Sequence, residues 1–172
     1  QGVLIAGGII AAAPPAWATS FTINSGETVT AAQTLLDGET GLIESGGFLN
    51  TTATSITGGP NTVITNNGTI TTTGDSSVGF SPTGSGNVIT NNGTVSTSGD
   101  QADGLRDRGT NTLFTNNGSI ITTGSAADGI LTTQNGSTYN NAGLIDTSGD
   151  NSVGIITSGD NETINNIRRI IN

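Results

Sequence analysis

VITNNGTI, running from Val63 to Ile70, returns as VITNNGTV from Val88 to Val95 and as LFTNNGSI from Leu113 to Ile120, each copy starting 25 residues after the one before. Two looser copies, TYNNAGLI (Thr138 to Ile145) and TINNIRRI (Thr163 to Ile170), hold the same register, so no gap is needed between Val63 and Asn172. A fixed period of this length marks a stacked repeat, in which each unit cannot bury its apolar face alone and neighbours complete one another's core.

Written in rows of 25, the chain sorts into columns of distinct character. Ile70, Val95, Ile120, Ile145 and Ile170 form one apolar column, Phe80, Leu105, Ile130 and Ile155 a second, and Ile64, Ile89, Phe114, Tyr139 and Ile164 a third. Each column lies in a short β-favouring run, and within Thr69 to Thr73 (TITTT) apolar and hydroxyl residues alternate with period two. Three such runs per row predict three strands per coil. Between them stand turn residues: Asn66-Asn67-Gly68, then Gly74-Asp75, then Pro82-Thr83-Gly84-Ser85-Gly86. Gly and Asn tolerate left-handed backbone angles and Asp caps turns, so these are corners. The expected fold is all-β: a right-handed parallel β-helix with three short strands per 25-residue coil. Wrapped at about 4.8 Å per coil, about six coils from Thr19 onward make a rod of roughly 29 Å.

Composition agrees with a thin, repeated core. Of 172 residues 27 are Gly, aromatics are 3%, and Met, Cys and His are absent, so no compact core of large side chains can form. The net charge of −9, with basic residues only at Arg106, Arg108, Arg168 and Arg169, argues against a nucleic-acid partner, which requires a basic surface.

Val3 to Ala13 (VLIAGGIIAAA) is too short to span a membrane, and it is followed by Ala16-Trp17-Ala18. An apolar run of this size before a small-x-small site reads as a signal peptide over 1–18, cut after Ala18, with its basic start and initiating Met missing. Residues 19–60 read as an N-terminal cap with the first irregular coils, and 61–172 as the 25-residue repeats, incomplete at the C-terminus. Open solenoid ends carry unpaired strand edges, which predicts self-association.

The signal sequence, the opening FTINSGETVT (Phe21 to Thr30), the NNGTI units and the SGD-x-x-x-G-I units (Ser148-Gly149-Asp150 to Gly154-Ile155) together resemble the N-terminal passenger region of bacterial autotransporters, the type V secretion proteins. The resemblance implies an extracellular β-helical passenger carried through a C-terminal outer-membrane β-barrel, which has no counterpart in this chain. It also implies a surface scaffold or adhesin, with a host surface, glycan or extracellular matrix as partner. The last row departs from the pattern, placing Arg168 in the column of Gly68, Gly93, Gly118 and Gly143.

Candidate sites are few. The unbroken column Asn66, Asn91, Asn116, Asn141, Asn166 predicts an internal ladder of stacked amides. Charge gathers only in Asp100 to Arg108, where the register sets Asp128 beside Asp103, a carboxylate pair that a polysaccharide lyase or hydrolase could use. The plainer reading is a solvated corner in which Arg106 and Arg108 compensate nearby acids. Asp75, Asp100 and Asp150 share a corner column broken by Ser125. Calcium needs six to eight oxygens, more than this column supplies, so no metal and no cofactor is expected. No Lys exists for a nucleotide loop. An ice-binding hydroxyl lattice is not expected either, because Thr69/Thr71, Thr94/Ser96, Ser119/Ile121 and Leu144/Asp146 lose their regularity within four coils. The expectation is therefore a non-catalytic scaffold or adhesin, with a glycan-active enzyme and a plain stalk for a distal domain as the alternatives.

Overall fold

A computed structural model describes residues 20–168 with Ile170 and Ile171. The expected signal peptide, 1–18, lies outside the described residues. The chain is a parallel β-solenoid of about six turns with three strands per coil. Among the described residues sheet A has seven strands: Phe21–Ile23, Thr40–Ile43, Val63–Asn66, Val88–Asn91, Leu113–Asn116, Thr138–Asn141 and Thr163–Asn166. Sheet B also has seven: Thr28–Val29, Phe48–Thr51, Thr69–Thr72, Thr94–Thr97, Ser119–Thr122, Leu144–Thr147 and Ile170–Ile171. Sheet C has six: Gln33–Leu35, Ile56–Gly58, Phe80–Pro82, Leu105–Asp107, Ile130–Thr132 and Ile155–Thr157.

The 25-residue register is the hydrogen-bonded register. Val95 pairs with Ile70 and Ile120, and Ile145 pairs with Ile120 in turn. These four side chains are fully buried and lie over one another inside the rod. Leu105 likewise sits between Phe80 and Ile130, and Phe114 between Ile89 and Tyr139. One inward aliphatic per strand contributes about 1.5 to 3 kcal/mol on burial, so stacking is needed to offset the ordering of each coil.

Residues 20–60 are full turns of the same wrap with shorter corners. Phe21 faces Gly41 at a separation of 20 residues, Thr40 faces Val63 at 23, and Ile56 faces Phe80 at 24. Shortening falls in the turns and leaves the inward columns intact, because Val29, Leu49 and Ile70 are stacked in one line.

The corners divide their work between two residue types. Left-handed angles are taken at Ser76, Gln101, Ala126 and Asn151, with φ between 51° and 59°. That conformation turns the Ser76, Gln101 and Ala126 N–H groups onto the Asp100, Ser125 and Asp150 carbonyls of the next coil. The neighbouring glycine column is needed for space: a Cβ on Gly124 would lie 1.9 Å from the carbonyl oxygen of Gly99. Left-handed angles are expected of Gly and Asn, whereas this corner also accepts Ser, Gln and Ala there to keep a ladder bond.

Candidate functional site

The inward-pointing ends of the sheet A strands form the asparagine ladder. Asn66 Nδ2 donates to Asn91 Oδ1 (2.8 Å), Asn91 to Asn116 (2.8 Å), Asn116 to Asn141 (2.7 Å) and Asn141 to Asn166 (2.8 Å). The second amide hydrogen of the first three reaches the Thr94, Ser119 and Leu144 carbonyls across the corner. Ile43 occupies the preceding rung, and Asn66 Oδ1 instead accepts the Gly68 N–H at 3.1 Å. A second file runs outside in the opposite sense: Asn117 Nδ2 donates to Asn92 Oδ1 and Asn92 Nδ2 to Asn67 Oδ1. Buried threonines close the next corner, Thr72 and Thr122 donating to the Ser77 and Ala127 carbonyls at 2.8 and 2.7 Å, with Thr97 and Ala102 paired alike.

The acidic stretch behaves differently from a solvated corner. Asp103 is 0% exposed, Asp107 1% and Asp128 7%, because the segment after Gly99 folds inward against the next coil. Asp103 and Asp128 do stand in adjacent coils, each bound to a backbone amide above it. Asp103 Oδ1 accepts the Asp128 N–H at 2.8 Å, and Asp128 Oδ1 accepts the Val153 N–H at 2.7 Å. Arg106 Nε meets Asp103 Oδ2 at 2.6 Å, and its Nη2 donates to the Gln101 carbonyl. Burial lifts both carboxyls above the ordinary carboxylate range; the Arg106 and backbone contacts of Asp103 oppose that rise, and the charge of Asp103 adds to it at Asp128.

Asp75 and Asp100 cap in the same manner at the exposed edge of this corner. Asp75 Oδ1 accepts the Asp100 N–H, Asp100 Oδ1 accepts the Ser125 N–H, and Ser125 Oγ turns to the Asp150 carbonyl. Among the described residues no group of three or more His, Cys, Asp or Glu side chains is placed to hold a metal ion.

A polar cluster inside the bore escaped the sequence reading. Asp107 Oδ2 accepts the Tyr139 hydroxyl at 2.7 Å, while Oδ1 accepts the Gly109 N–H at 2.8 Å and the Thr112 hydroxyl at 3.2 Å. Burial raises its carboxyl, and burial followed by the bond to Asp107 raises the Tyr139 phenol. One coil beyond Ser137, Glu162 Oε1 accepts the Ser137 N–H, while its Oε2 is buried without a hydrogen-bond partner. Strand parity was the signal: Asp107 is two residues from the inward Leu105 and must point the same way.

An open groove of about 300 Å³ lies where sheet A turns into sheet B, lined by residues including Asn117, Gly118, Leu144 and Arg168, with no carboxylate on its wall. Together the register, the ladders and the inward columns define a parallel β-solenoid. The chain matches no known family model, and no curated protein or solved structure matches it.

Proposed function

We propose that this chain is part of the extracellular passenger of an autotransporter-like bacterial surface protein and works as a non-catalytic scaffold or adhesin. The observation that carries this reading is the repetition of outward side chains. Thr65, Thr90 and Thr115 stand in successive coils on one face, and Thr69, Thr94 and Ser119 on another. A surface of identical small polar contacts binds weakly at each coil and strongly in sum. Asp103 and Asp128, the acids that would serve a glycan-cleaving enzyme, are engaged with backbone amides and, for Asp103, with Arg106, which favours the scaffold.

Display of the chain on a non-adherent bacterium through an outer-membrane β-barrel translocator tests this directly. Increased attachment to host cells or matrix, with no cleavage of a broad polysaccharide panel, is the expected result. Unchanged attachment, or turnover abolished by Asp103→Ala or Asp128→Ala, would overturn it.

A further inference from the structure

Between Glu44, on the corner from sheet A to sheet B, and Asp146, on the outer face of sheet B, the charge on this rod is confined to one side. Seven charged side chains fall between Phe48 and Ile145, from Asp75 to Asp128, and all lie on the turn from sheet B to sheet C, on sheet C, or on the turn from sheet C to sheet A. Over the same coils the outer faces of sheets A and B and the corner joining them hold no charge at all. In a chain of net charge −9 this leaves a neutral stretch along that side, bounded by Glu44 and Asp146. It carries Thr hydroxyls and the exposed amides of Asn67, Asn92 and Asn117, interspersed with single exposed aliphatics, Val63 at 44% and Leu113 at 40%.

We infer that this neutral side of sheets A and B, between Phe48 and Ile145, is the adhesive surface, and that its ligand is an uncharged polysaccharide lying across successive coils. The inference rests on the adhesin reading and names the face and the chemistry of its partner. A cationic partner is drawn to the carboxylates on the opposite side, and an anionic one is repelled by the rod as a whole. What remains must be neutral, must both donate and accept hydrogen bonds to hydroxyls and amides, and must offer C–H surface to isolated aliphatics. Sugar polymers without acid groups have all three properties and repeat along their length, as the coils do at about 4.8 Å. A folded protein partner would require a larger connected apolar patch than these scattered side chains provide. The face has no aromatic platform beyond Phe48 at its margin, so each contact is weak and retention depends on many coils acting together.

The test places the full chain at high density on beads and measures capture of neutral, anionic and cationic polysaccharides. Thr65→Glu combined with Thr115→Glu charges the face at two rows separated by one coil, and Leu131→Glu adds a like charge to the outside of sheet C as control. Circular dichroism and a cooperative melt establish that both variants fold. The expected result is capture of at least one neutral polysaccharide, unaffected by added salt. Capture should fall about tenfold or more in the doubly charged variant and stay unchanged in Leu131→Glu. Preference for charged polymers, equal loss in the control, or no capture of any neutral polymer would overturn the inference. If displayed cells still adhere while neutral capture is absent, this assignment falls and the adhesin reading stands; loss of both overturns both.

Discussion

The phenolic hydroxyl of Tyr139 in sheet A donates to the carboxylate of Asp107 in sheet C at 2.7 Å, so two sheets are joined through the middle of the bore from adjacent coils. Asp107 depends on hydrogen-bond donors: Tyr139, the Gly109 amide and the Thr112 and Ser137 hydroxyls. Tyr139→Phe preserves the shape of the core and deletes one of these donors. Hydrogen bonds to a buried charged group are worth about 1.5 to 3 kcal/mol, so a loss of that size is expected in chemical denaturation at a pH where Asp107 is ionised in the folded protein. A loss below about 0.5 kcal/mol would mean that the hydroxyl does not support the carboxylate.

The same acid sets a pH dependence. Burial holds the Asp107 carboxyl above its ordinary value of 3.8, so the folded protein keeps a proton that the unfolded chain has already released. Its contribution to stability is therefore complete below 3.8 and is lost as pH rises through the higher folded value. Asp107→Asn does not titrate, and the Tyr139 hydroxyl can turn to accept from the new amide. The melting temperature of the variant relative to the native chain should rise as pH climbs from about 4 and level off once the raised folded value of Asp107 has been passed. A difference that stays flat, or shrinks, across that range sinks the assignment.

The two asparagine files give a matched pair of adjacent substitutions. Asn116 is buried, accepts from Asn91 and donates to both Asn141 and the Leu144 carbonyl. Asn116→Asp keeps the acceptor and turns the donor into an oxygen facing two oxygens, with a buried charge added. A cost of about 3 kcal/mol or more is expected, the range for an uncompensated buried charge. Asn117→Asp, one residue later, changes an exposed amide bonded only along the outer file and should cost under about 1 kcal/mol. Equal losses in urea would show that the inner ladder is dispensable.

What the sequence made readable follows from which features repeat. Ile70 to Ile145 and Asn66 to Asn166 recur at one spacing, so their stacking could be read without coordinates. The first coils could not be counted that way, since their separations of 20, 23 and 24 residues have no common period. Their register is held by inward Ile43 and Leu49 instead. Asp107 was grouped with a corner by its charge, although its place in the strand Leu105–Asp107 dictated an inward direction. The depth of Asp103 is also hidden, because its column alternates in character from Val78 through Asp103 and Asp128 to Val153, and only the fold shows that the corner closes over it. The one-sided distribution of charge between Glu44 and Asp146 requires the assignment of each residue to a sheet or a turn, which the repeat alone does not provide.

Chemical ageing offers a last, independent check on the ladder. Asn67, Asn92 and Asn117 are exposed and each precedes a glycine, whose nitrogen can attack the asparagine side-chain carbonyl carbon, expel ammonia and close a succinimide that water opens to aspartate or isoaspartate. Ring closure requires a free glycine N–H. Gly93 and Gly118 donate theirs to the Asn66 and Asn91 backbone carbonyls at 3.0 Å, whereas Gly68 donates only to the Asn66 side chain at 3.1 Å. A side-chain acceptor can swing away without opening a coil, but release of the other two requires local unfolding. Peptide mapping by mass spectrometry of the native protein aged at mildly alkaline pH should show deamidation at Asn67 first. Asn92 and Asn117 should follow only at the rate at which the coils open, and in urea all three should react alike. If Asn92 and Asn117 deamidate in the native protein as fast as in the unfolded chain, the corner amides are not held in the ladder as described.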